Sequence, residues 1–139
     1  MLPPDEQARV SDGVLVSMTA LLIGRPGYLL EGLAGVLRAY PREMKLYILN
    51  DGEKVIQFVQ RYHPDLIVFD FRFPLAETYD VLGTVRQASP NSQILAFAEQ
   101  AELLTLALAG ADAVLLGDAR VERIYSTIEH LLHLKDDIH

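Results

Sequence analysis

Two hydrophobic periods alternate along this chain. Short, largely apolar runs stand at Met18–Ile23, Lys45–Leu49, Leu66–Asp70, Gln93–Ala98 and Ala113–Leu116. Unbroken runs of this length fit strands of a parallel sheet covered on both faces. Between them, apolar residues recur every three or four positions, the spacing of one helix face. The first helix is expected over Tyr28–Tyr40, with Leu29, Leu30, Leu33, Val36 and Leu37 sharing a face and Pro41 ending it. Asn50-Asp51-Gly52 caps the second, which turns Val55, Ile56, Val59 and Tyr62 inward until Pro64 stops it. The third runs from Thr78 to Ala88 with Val81, Leu82 and Val85 inward, and Ser89-Pro90-Asn91-Ser92 turns the chain. A fourth is expected over Ala101–Ala109, closed by Gly110 in the left-handed conformation that glycine favours. The last carries Val121, Ile124, Tyr125, Ile128, Leu131 and Leu132.

Five strands alternating with five helices imply an α/β fold, a parallel sheet with helices on both faces. Right-handed crossovers leave the flavodoxin-like, doubly wound order 2-1-3-4-5 as the leading topology. Open sheets of this kind bind ligands beyond the carboxyl ends of their strands, where the strand order reverses. The reversal falls between strands 1 and 3, whose carboxyl ends are Gly24-Arg25 and Asp70. Ala98 after strand 4 and Gly117 after strand 5 complete the candidate site. Asp70 stands out because the apolar run Leu66–Phe69 ends abruptly in its carboxylate, with Pro74 four residues on.

Composition narrows the classes. The chain has 139 residues, enough for one domain that buries roughly two thirds of its unfolded surface. Residues 1–17 read as a flexible N-terminal arm with a Ser11-Asp12-Gly13 turn signal, and 18–139 as the folded domain. Twelve basic residues against nineteen acids give a formal net charge of −7. That field opposes contact with phosphate backbones, so no direct nucleic-acid contact is expected from this segment. The absence of cysteine excludes a disulfide scaffold and a thiolate metal site. The start, Met1-Leu2-Pro3-Pro4-Asp5-Glu6, lacks the basic and apolar regions of a signal peptide. No segment approaches the roughly 18 apolar residues of a membrane span. A soluble cytoplasmic module is the expectation.

The residues His63-Pro64-Asp65-Leu66-Ile67-Val68-Phe69-Asp70, with Pro74, resemble the "PDL…D…P" strand of the receiver domains of bacterial two-component response regulators. Glu31-Gly32-Leu33 resembles the "REGL" start of helix 1 in the subfamily that carries a C-terminal helix-turn-helix. Ala109-Gly110-Ala111-Asp112-Ala113 and Leu115-Leu116-Gly117-Asp118-Ala119 resemble its "AGADGYLLKDA" segment. The similarity runs over residues 19–134 nearly without gaps. It implies a signalling domain rather than an enzyme, with a histidine kinase or another signalling protein as partner. It places Asp70 at the phosphoacceptor position, and it leaves open a DNA-binding domain after His139.

The same resemblance exposes departures. A carboxylate accepts a phosphoryl group readily only when Mg²⁺ neutralises the developing charge. The two acids that hold this metal in the family fall on Gly24 and Arg25. The threonine or serine after strand 4 falls on Ala98, the lysine after strand 5 on Gly117, and the aromatic switch on Val114. Of the five groups that would handle the phosphoryl group (the acid pair, the hydroxyl, the lysine and Asp70) only Asp70 is present, so Mg²⁺ binding is expected to be weak or absent. The sequence is identified as a degenerate, pseudo-receiver variant, acting mainly through protein–protein interaction. Arg25 is placed to reach Asp70 as a fixed charge in place of the metal, with Arg72 as a competitor.

Other signals are weaker. His130 and His133 beside Asp136 and Asp137 lack a full ligand set and read as a solvated helix face. Gly24-Arg25-Pro26-Gly27 lacks the lysine and glycine spacing of a phosphate loop, and no hydrolase motif occurs. The 101–109 helix is apolar on nearly every side, with Leu103, Leu104, Leu106 and Leu108. Either it sinks into its own core or it presents a dimer surface, and a homodimer through Leu103, Leu106, Val114 and Tyr125 is expected. Two alternatives stand beside the main reading. One is a working receiver phosphorylated on Asp70; the other is a small-ligand or nucleotide binder using the cleft around Gly24, Ala98 and Gly117.

Overall fold

The computed structural model describes residues 18–70, 75–98 and 109–137. The strands are β1 (Met18–Ile23), β2 (Met44–Leu49), β3 (Leu66–Asp70), β4 (Gln93–Ala98) and β5 (Ala113–Leu116). The helices are α1 (Tyr28–Arg38), α2 (Gly52–Tyr62), α3 (Leu75–Ala88) and α4 (Val121–Asp137). All strand pairings are parallel, in the order β2-β1-β3-β4-β5. The doubly wound topology expected from the periodicity is therefore present. The arm at 1–17 and residues 101–108 of the helix expected over 101–109 lie outside the described residues.

The sequence of each strand matches its place. Every residue of β1, β3 and β4 is buried, which suits three central strands covered on both faces. The outer strand β2 instead exposes Lys45 and Ile48. Alternate side chains divide between two cores. Ala20, Leu22, Leu66, Val68 and Leu95 pack with Leu30, Ala34 and Leu37 of α1 and Ile124, Ile128 and Leu131 of α4. Leu21, Ile23, Ile67, Phe69 and Ile94 pack with Val55 and Val59 of α2 and Leu82 and Val85 of α3.

Several boundaries and faces differ from the sequence reading. Helix α1 ends at Arg38, because the residue before Pro41 is disfavoured in the helical region. Helix α3 begins at Leu75 rather than Thr78, since Leu75, Ala76 and Glu77 are themselves good helix formers. Leu29 was expected on the buried face of α1 but is 56% exposed. The buried stripe is Leu30, Ala34 and Leu37, at spacings of four and three. In α2 only Val55 and Val59 are fully buried, while Ile56 and Tyr62 are half-buried. Gly110 has φ of +126°, beyond the left-handed helical region but equally unsuited to a side chain.

Two acids pin the amino ends of the strands. Asp65, just before β3, accepts from the Thr19 N–H of β1 at 2.9 Å through Oδ2. Asp112, just before β5, accepts from the Ile94 N–H of β4 at 2.7 Å. Asp112 also pairs with Arg86 at 2.5 Å. The Arg86 guanidinium donates further to the carbonyls of Gly110, Pro90 and Ser92, tying the end of α3 to the loops before β4 and β5. On the opposite face, Tyr40 donates to Glu129, and its ring meets Tyr125 edge-on at 5.2 Å. Burial, with Glu129 adding to it, pushes the Tyr40 phenol above its usual range.

Replacing Asp112 by alanine leaves the Ile94 N–H and the Arg86 guanidinium without that acceptor. The expected loss is about 1–3 kcal/mol in urea unfolding, with Asp112→Asn losing less because it keeps an acceptor. Equal stabilities of Asp112→Ala and the parent would contradict this account.

Candidate functional site

Asp70 ends β3 at the centre of the sheet, level with Phe97 of β4. On its other side Ile23 pairs with Phe69, so Gly24 follows level with Asp70 itself. The Gly24 N–H continues the β1–β2 ladder by donating to the Leu49 carbonyl at 3.3 Å. That bond keeps the backbone in line as it passes the tip of β3. Asp70 is 3% exposed. A Cβ built on Gly24 would lie 2.7 Å from the Asp70 Cβ, 2.7 Å from the Leu30 Cδ1 and 3.2 Å from the Asp70 Oδ2. Side chains do not approach one another so closely, so glycine is required here by space rather than by backbone conformation.

Away from Gly24, Asp70 faces a cleft of about 430 Å³ between α1 and the start of α4. Ala98 and Gly117 line it with Asp70, at the ends of β4 and β5. Three predicted site residues therefore meet in one concave space. Gly24 packs against Asp70, and Arg25 is exposed. A desolvated pair between Arg25 and Asp70 would require Arg25 to leave the solvent. Arg72, Leu103 and Leu106 lie outside the described residues. Val114 is half-buried against the core beneath α2 and α3. Tyr125 is half-buried, and its hydroxyl donates to the Val36 carbonyl at 2.6 Å.

Sequence reasoning missed how α1 uses its remaining apolar positions. Leu29, Leu33 and Val36, spaced by four and three, form a second stripe along the cleft. The signal was available as an apolar arc too wide for a single buried face.

No protein-family model matches the chain. Over 115 residues it is 28% identical to the regulatory protein LuxO of Vibrio cholerae serotype O1, a match that covers 76% of this chain and 25% of that protein. The chain thus spans about a quarter of this relative's length. Among solved structures, it resembles a CheY-like response regulator receiver domain protein from Methanospirillum hungatei. That likeness has a TM-score of 0.74 at 15% identity, over 88% of this chain and 99% of the other. The chain has the fold of response-regulator receiver (CheY-like) domains. The receiver domain of a Pseudomonas aeruginosa sensor histidine kinase, which coordinates a magnesium ion in its active site cleft, gives a TM-score of 0.73 at 16% identity. It covers 85% of this chain and 99% of its own. Among the described residues no helix is long and apolar enough to cross a membrane.

Gly24 and Gly117 offer a paired test of the packing around Asp70. Gly24→Ala should lose about 1–3 kcal/mol in urea unfolding, the usual cost of overfilling a packed site. A Cβ at Gly117 meets nothing within 4 Å, so Gly117→Ala should stay within about 0.5 kcal/mol of the parent. Equal effects at the two sites would refute the close-contact account of Gly24.

Proposed function

We propose that this domain serves two-component (phosphorelay) signal transduction as an atypical receiver. It acts mainly by contacting other proteins, and its phosphorylation site has lost metal and switch chemistry. The observation that carries this reading is the approach of Gly24 to Asp70, where an added Cβ would lie 2.7 Å from the Asp70 Cβ. An acid at position 24 would have to displace Asp70 itself, so loss of the acid pair is built into the packing. The donor set does not fit Mg²⁺. Glycine and arginine stand where the resemblance calls for two carboxylates, leaving Asp70 alone of the three. Ala98 supplies no hydroxyl and Gly117 no ammonium group, so a phosphoryl group on Asp70 would lack the charges that stabilise its transfer.

The partners that suit this reading are a histidine kinase or another signalling protein, and a second copy of the chain. A regulatory protein among the relatives supports the signalling context. A second reading, a working receiver phosphorylated on Asp70 by a histidine kinase, is favoured by one observation: Asp70 borders an open cleft.

Intact mass after incubation with Mg²⁺ and acetyl phosphate separates the two, with Asp70→Asn as control. The atypical receiver gives no adduct on either protein. An adduct on the parent alone would establish the working receiver instead. For the homodimer, Leu103→Glu or Leu106→Glu should sediment as a folded monomer while the parent sediments as a dimer. A parent that is already monomeric at the same concentration would remove the dimer from the proposal.

A further inference from the structure

Strand β2 ends the sheet on the side away from β5, and its outer edge is regular. The β1–β2 ladder runs from Met18–Met44 to Ile23–Leu49 without a bulge. At its two ends the Met18 N–H donates to the Glu43 carbonyl and the Gly24 N–H to the Leu49 carbonyl. In a parallel ladder alternate residues turn both backbone groups to the same neighbour. Lys45 and Tyr47 therefore face β1, and the N–H and carbonyl groups of Met44, Leu46 and Ile48 point outward. Among the described strands none pairs with them. Proteins commonly blunt such an edge with a bulge, a proline or several charges. The strand Met44–Leu49 has only Lys45. A cleft flanks the strand on each face. On the α2 face one of about 640 Å³ is lined by Leu49, Phe58 and Tyr62 with Lys54 and Arg61. Its aromatic side continues to β2, with the Tyr47 and Phe58 ring centroids 5.0 Å apart and those of Phe58 and Tyr62 4.7 Å apart. On the α1 face one of about 460 Å³ is lined by Leu30, Ala34 and Ile48 with Glu31 and Arg38.

We propose that this edge binds an extended, acidic segment of a partner protein, added to the sheet as a sixth strand beside β2. The outward backbone groups of Met44, Leu46 and Ile48 supply the pairing, and alternate side chains of the segment fall to either face. Apolar ones reach the α1 face, where Ile48 is 37% exposed. Acidic ones reach the α2 face, where Lys54 and Arg61 line the cleft and no acid stands among its described lining residues. Lys45 shares that face with Tyr47 and Leu49 by strand alternation. Lys45, Lys54 and Arg61 are all exposed, and none forms an ion pair among the described residues. The local charge is thus opposite in sign to the net −7 of the chain, and it selects an acidic occupant for this one edge. A second copy would set its own Lys45, Lys54 and Arg61 against these, which disfavours pairing of two β2 edges. The inference rests on the reading of the domain as one that contacts other proteins, and it gives that contact a surface and a partner chemistry.

A capped hexapeptide alternating glutamate and valine tests it, matched in length to β2. Hydrogen exchange is followed in ¹⁵N–¹H correlation spectra of the whole chain. The Leu46 and Ile48 amides should exchange freely in the protein alone and at least about tenfold more slowly with saturating peptide. The Tyr47 and Leu49 amides, already bonded to β1, should change little. A Kd of about 0.1–1 mM is the scale for a short peptide that is ordered on binding. Lysine in place of the glutamates reverses the charge, and proline in place of the valines removes pairing N–H groups at equal charge. Each change should weaken binding at least about tenfold. The double variant Lys54→Glu, Arg61→Glu should lose the preference for the glutamate peptide while unfolding at the urea concentration of the parent. Unchanged exchange at Leu46 and Ile48 overturns strand addition, and equal binding of the lysine peptide or an unaltered preference in the double variant overturns the acidic partner. Slow exchange of these two amides before peptide is added also overturns the proposal, because residues 1–17 or a second copy would then already cover the edge. None of these failures touches the acetyl phosphate experiment, which reads Asp70 alone.

Discussion

The burial of β1, β3 and β4 on both faces constrains everything else in this domain. Their backbone polar groups are consumed by parallel pairing to neighbours on either side. Their side chains have no water on either face, and a polar side chain in mid-strand would lose hydration with no partner in reach. Polar side chains therefore concentrate at the strand ends. Among the described strands the buried polar residues are Thr19, Asp70 and Gln93, the second, last and first positions of their strands. A sheet built this way can hold chemistry only along its two rims.

The two rims have diverged. At the amino ends, Asp65 and Asp112 each precede a strand and accept from an N–H of the strand beside it. The backbone answers in kind, with Asp65 N–H to the Thr19 carbonyl and Asp112 N–H to the Ile94 carbonyl. Each acid thus extends the sheet by one reciprocal pair, which is a structural task. The segments Pro64-Asp65-Leu66 and Ala111-Asp112-Ala113 belong to the blocks that carry the receiver resemblance. At the carboxyl ends the departures gather, at Gly24, Arg25, Ala98 and Gly117. Residues that hold the sheet together follow the receiver pattern, as Asp70 does, while those around Asp70 depart from it.

Much of this was legible in the sequence because the two periods report burial directly. Strands covered on both faces read as solid apolar runs, and β1, β3 and β4 were bounded correctly for that reason. Asp51 was legible as a cap, and it accepts from the Glu53 and Lys54 N–H groups as expected. Less legible was the division of one apolar helix between two tasks. A sequence marks Leu29, Leu30, Leu33 and Leu37 as equally apolar, but only the crossing of α1 over the sheet decides which stripe meets the core. The meeting of Asp70, Ala98 and Gly117 followed from strand order alone. The contact of Gly24 with Asp70 did not, since it depends on the register that sets Ile23 beside Phe69.

That register explains why glycines on the two sides of Asp70 have opposite structural results. Gly24 sits on a backbone still held in the β1–β2 ladder, level with the tip of β3 and beneath Leu30. With no side chain at position 24, Leu30 and Asp70 occupy the space, and the seam is closed. Gly117 lies in a turn beyond β5, where the built Cβ meets nothing within 4 Å, so the space stays open. A Cβ at position 117 meets no neighbour within 4 Å, whereas even a methyl group at position 24 must move Asp70 or Leu30. At 24 the neighbours fill the space and at 117 it stays open, so the two glycines beside Asp70 contribute packing on one side and a cleft on the other.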